Sequence, residues 1–111
     1  HIDIRMQLSN LESMPGHRII QQLGLVSGNT VQSKDFIEDA FAGLKNIIGG
    51  ELTEYTELLE EARNEAMQRM IKKAEELGAN AIVGIRFSTA NIVAQASEIL
   101  VYGTAVKVEE I

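Results

Sequence analysis

A chain of 111 residues that is 45% hydrophobic and 23% charged can build one core, and it has the balance of a folded globular domain rather than of a disordered chain. It has no cysteine, which excludes disulfides, thiolate metal sites and cysteine nucleophiles, and its net charge of −6 opposes a phosphate backbone. Its ten basic residues form no dense patch and no stretch approaches the ~20 apolar residues of a membrane span, so neither nucleic acid nor membrane is an expected partner, and a cytoplasmic location is expected.

His1 to Arg5 precede Met6 without an apolar run of signal-peptide length and read as a tag or vector remnant, leaving 6–111 as a single domain with His17 its one native histidine. Residues 6–12 read as a short strand, and Pro15-Gly16 as a turn. From Arg18 the chain alternates, with Ile19, Leu23 and Leu25 set against Gln22 and Gly24, and Ser27-Gly28-Asn29 is the expected breaker of this strand. Ser33 can cap a first helix carrying Phe36, Ile37, Ala40, Phe41, Leu44, Ile47 and Ile48, which Gly49-Gly50 would stop.

A second helix is expected from Thr53, with an apolar stripe at Leu52, Tyr55, Leu59, Ala62, Ala66, Met70, Ala74 and Leu77 and a left-handed cap at Gly78. Its first half is acidic (Glu54, Glu57, Glu60, Glu61) and its second half basic (Arg63, Arg69, Lys72, Lys73), the order that complements a helix dipole. Two strands follow, Ala81 to Ser88 and roughly Val93 to Val108, around a turn at Thr89-Ala90-Asn91. In the last strand Ile99-Leu100-Val101-Tyr102 and Thr104-Ala105-Val106 place apolar groups on both faces, so both faces need cover. The expected architecture is α+β, a sheet with two helices in the order β-α-α-β-β. Two helices cover one face of such a sheet, and another copy of the chain is the simplest cover for the other.

Three stretches resemble the YbjQ-like family, sometimes labelled heavy-metal-binding. They are Gly24-Leu25-Val26-Ser27-Gly28, then Gly49-Gly50 with Tyr55, Leu59, Ala62, Arg63 and Ala66, then Gly78-Ala79-Asn80-Ala81-Ile82-Val83-Gly84 with a terminal Gly103-Thr104-Ala105-Val106. The resemblance implies a β–α–α–β fold assembled as a homo-oligomeric ring of five copies, in which strands of neighbouring subunits extend one another's sheets. This chain departs from the family where many relatives carry acidic residues after the Val-Gly strand, reading Val83-Gly84-Ile85-Arg86-Phe87-Ser88 instead.

The stock of metal ligands is narrow: His17 and the thioethers of Met6, Met14, Met67 and Met70. Met67 and Met70, three apart on one helix, could face a soft ion, but such pairs more often fill a core. Glu57, Glu61 and Glu65 lie four apart and could hold a hard cation or do acid–base work, although glutamates at that spacing usually serve solubility. Gly49-Gly50 lacks the lysine and hydroxyl of a phosphate loop. Tyr55 and Arg63, eight apart on the second helix, are the candidate ligand or interface residues, because a phenol and a guanidinium there could both point to a subunit seam. One native histidine supports no Ser/His/Asp arrangement. The expected function is a ring-forming module that binds a small ligand or a protein partner, without catalysis, cofactor or resident metal. The alternative is a metal-binding protein whose carboxylates or symmetry-related ligands converge in the ring.

Overall fold

The computed structural model describes residues 6–33, 53–93 and 96–111. The elements are β1 (Gln7–Leu8), β2 (His17–Ser33), α1 (Thr53–Glu76), β3 (Ala81–Val93) and β4 (Ala96–Glu110). Among these residues the fold is α+β, one helix on a four-stranded mixed sheet of order β1-β3-β4-β2. β1 is parallel to β3, and β4 pairs antiparallel with both β3 and β2. The helix expected over Ser33–Ile48 lies outside the described residues, apart from Ser33 itself, which ends β2 opposite Ala96.

Helix α1 forms where the three- and four-residue spacing of apolar groups puts Ala62, Ala66, Met70 and Ala74 on one line, and these four are buried against the sheet with Leu59 partly buried beside them. It ends at Gly78, whose φ of 85° only glycine adopts at little cost. The Gly78 N–H donates to the Glu75 carbonyl at 2.9 Å and the Ala79 N–H to the Ala74 carbonyl at 3.1 Å, which satisfies carbonyls the helix would otherwise leave bare. Leu77, read as the last member of the stripe, is instead 47% exposed, because this cap turns the chain away before Leu77 can reach the sheet.

The helix sits unusually low on β2. A Cβ at Gly28 would collide with the Ala66 carbonyl oxygen and would lie 2.6 Å from the Met70 nitrogen, so the helix backbone rests directly on this residue. Thr30 Oγ1 donates to the Ala62 carbonyl at 3.3 Å one turn earlier. Around this contact Val26, Ile82, Ile85, Ile99, Val101 and Ala105 complete the core on the helix side of the sheet.

Three sequence expectations fail for identifiable reasons. Ser27-Gly28-Asn29 does not break the strand, since the glycine is there for the close helix approach and β2 continues to Ser33. Ile19, Leu23 and Leu25 do not share a buried face, because register shifts between Ile19 and Gln21 and between Gln22 and Gly24 change which side successive residues face. Leu23 packs on the helix side while Leu25 is 82% exposed. Thr89-Ala90-Asn91 is not a turn: β3 runs through it to Val93, which pairs with Ala96.

β4 is apolar on both faces, as its sequence indicates. Ile99, Val101 and Ala105 face α1, while Val106 and Val108 join Met14, Ala81 and Val83 in a second buried cluster on the opposite face. The segment before β2 covers this cluster. It is stitched to β3 by the Ser9 N–H to the Ile82 carbonyl at 3.0 Å, the Ile85 N–H to the Ser9 carbonyl at 3.1 Å and the Gly84 N–H to the Leu11 carbonyl at 2.7 Å.

Two substitutions test this packing. Gly28→Ala should lower stability by about 2–3 kcal/mol in urea unfolding, since the added methyl meets helix backbone that cannot rotate away, while Ser27→Ala next to it should change stability by less than ~0.5 kcal/mol. Val101→Glu, at a position with 0% exposure, should yield protein without a cooperative thermal transition. A soluble, cooperatively folding Val101→Glu protein would contradict the placement of β4.

Candidate functional site

The soft donors of this chain are occupied by packing. Met70 and Met14 are buried in the two clusters, and Met67 and Met6 are partly buried against the first. The Met67 and Met70 pair therefore fills the core rather than facing a soft ion. His17, half-buried at the start of β2, has both ring nitrogens engaged: Nδ1 lies 2.9 Å from the Pro15 carbonyl, which can only accept, and Nε2 lies 3.4 Å from Gln7 Nε2. That arrangement assigns the ring proton to Nδ1 and makes Nε2 the acceptor from Gln7. No group of three or more His, Cys, Asp or Glu side chains that could hold a metal occurs among the described residues.

The carboxylates are dispersed. Glu57, Glu61 and Glu65 are exposed along α1, and Glu65 pairs with Arg69 at 3.3 Å. Arg69 also reaches over β2, its Nη1 donating to the Asn29 carbonyl at 2.7 Å. Glu98 accepts from Asn29 Nδ2 at 2.9 Å, and Glu109 is held by Arg18 on the neighbouring strand. Arg86 donates from Nη1 to the Asn10 carbonyl at 2.6 Å and the Ile85 carbonyl at 2.9 Å. Its role is to latch the N-terminal segment to β3.

Tyr55 is the third residue of α1, and Arg63 lies exposed two turns further along. Eight residues advance a helix by about 80° beyond two full turns, so the two positions sit a quarter-turn apart rather than on one line. Arg63 directly follows the buried Ala62, on the flank of the helix. A depression of about 240 Å³ lies at the other end of the helix, lined by Met6, Glu75, Gly78, Ala79 and Asn80, and brings a single carboxylate to its wall.

Asn80 has a structural role that sequence reasoning missed. Its Nδ2 donates to the Val108 carbonyl at 2.9 Å, its Oδ1 accepts the Val108 N–H at 2.8 Å, and its own N–H donates to the Val106 carbonyl at 3.2 Å. The side-chain amide thus copies a strand residue and docks the start of β3 onto β4. Its place after a helix-capping glycine and before an apolar run was the available signal.

The most extensive unexplained feature is the sheet face away from α1. The segment before β2 covers one half of that face, where Val106 and Val108 lie. In the other half, cross-strand register places Leu25, Ser27, Asn29 and Val31 of β2 beside Thr104, Tyr102, Leu100 and Glu98 of β4. Leu25, Val31 and Tyr102 are exposed and Leu100 is half-buried. The outer edge of β2 has no partner strand among the described residues. Such a surface is suited to burial against another chain.

A family model described as "Putative heavy-metal-binding" (YbjQ) matches residues 6–109. A UPF0145 protein of Acinetobacter baylyi is 71% identical over 96 residues, spanning 86% of this chain and 89% of that protein. One from Psychrobacter arcticus is 64% identical over 102 residues, 92% of this chain and 65% of the longer relative. One from Thermus thermophilus is 53% identical over 102 residues, 92% of this chain and 90% of that protein. The crystal structure of a protein of unknown function from Pediococcus pentosaceus, of the DUF74 family, superposes with a TM-score of 0.61 at 17% identity, over 94% of this chain and 98% of that one, which shows a shared fold.

Asn80→Ala would strand both backbone groups of Val108 at a part-buried position, and the expected loss is about 1–3 kcal/mol in chemical denaturation. Asn80→Asp, which keeps the acceptor and loses the donor, should fall between the wild type and alanine.

Proposed function

The chain belongs to the YbjQ-like family of UPF0145 proteins, and on that premise we propose that it acts as a self-associating module whose ring, five copies by the family resemblance, binds a small ligand or a protein partner without catalysis. The observation that carries the self-association is the bare half of the sheet's open face. Leu25 at 82% exposure, with Val31 and Tyr102 beside it, is an apolar strip next to an edge strand with no partner among the described residues. Burying one leucine side chain is worth ~1.5–3 kcal/mol, and a strand edge that finds a partner also satisfies its outward N–H and C=O groups. Because β1 and β2, the two edge strands of the sheet among the described residues, present different surfaces, contact between copies can run head to tail and close as a ring. Tyr55 and Arg63 on α1 are the residues proposed to lie at the seam or to meet the ligand there.

The second reading is the one in the family's description, metal binding. With the thioethers in the cores and the carboxylates dispersed among the described residues, a site there would have to gather symmetry-related copies of one residue, and His17 is the candidate. Releasing its Nε2 would cost the Gln7 contact.

Native mass spectrometry of the chain without residues 1–5 should show a discrete homo-oligomer, and a monodisperse species with the mass of one such chain at micromolar concentration would contradict the proposal. Leu25→Lys combined with Tyr102→Lys, both at exposed positions, should keep the circular dichroism of the fold while shifting the mass to the monomer. Titration calorimetry of the same protein with zinc, copper and cadmium should give weak, non-saturating heats. Submicromolar affinity at one ion per ring, abolished by His17→Ala, would favour the metal reading instead.

A further inference from the structure

No further inference is drawn: the strongest candidate, the apolar half of the sheet's open face around Leu25, Val31, Leu100 and Tyr102 with the adjoining edge of β2, is the surface on which the proposed self-association already rests, and nothing in the structure shows what else covers it.

Discussion

The backbone of α1 rests on Gly28, and most of the architecture follows from how close that contact is. The helix carries a line of small side chains, Ala62, Ala66 and Ala74 with Met70 among them, so that it can approach a strand that offers no side chain at the point of contact. Val26 and Thr30, the residues two before and two after Gly28, then reach up on either side of the helix axis, and Thr30 ties its hydroxyl to the Ala62 carbonyl. Arg69 adds a second tether, from the helix to the backbone of Asn29. With the helix held at this height, Val101 and Ile99 of the neighbouring strand fall beneath it and become the floor of the core. A dense interior of this kind has little slack, so its stability is sensitive to single methyl groups.

Among the described residues one helix covers one face, and the other is settled by other means. The segment from Met6 to Gly16 settles half of it, laying Met14 over Val83, Val106 and Val108 and bonding to β3 along Ser9 and Leu11. Arg86 secures this segment through the Asn10 carbonyl. Beyond the reach of that segment the paired strands β2 and β4 continue with Leu25, Val31, Leu100 and Tyr102 still in place. Strands with apolar residues on an open face and an edge unpaired among the described residues are prone to indiscriminate pairing, and the proposed contact with a further copy would remove that hazard.

What the sequence made legible was whatever depends on local periodicity or capping. The stripe of α1 and the glycine at its end are short-range features, and Gly78 acts as the spacing indicates. The two-sided character of β4 was also visible, because alternation cannot hide seven apolar residues between Ile99 and Val108. Most of the errors concern long-range contacts. Gly28 resembles a strand breaker until the helix that needs its missing side chain is present, and the same holds for Asn80, whose amide finds its partners 28 residues away. The register shift between Gln22 and Gly24 changed the facing of Leu25 relative to Leu23, which no alternation pattern could announce. Tyr55 and Arg63 both fall on α1, about a quarter-turn apart. The Met67 and Met70 pair was resolved by burial alone, which only the folded chain reveals.

Among the described residues the thioethers are taken up by packing and the charged groups are spread along edges and helix flanks. The central claim is therefore that the outer edge of β2 and the open face beside it are covered in the working protein. Hydrogen–deuterium exchange resolved to the amides of Leu25 to Val31, followed as protein concentration is raised, tests this directly. The account predicts that the outward-facing amides become protected at concentrations where copies associate, in step with the inward-facing amides bonded to β4. Rapid exchange of the outward-facing amides at every concentration, with the inward set protected throughout, would contradict it.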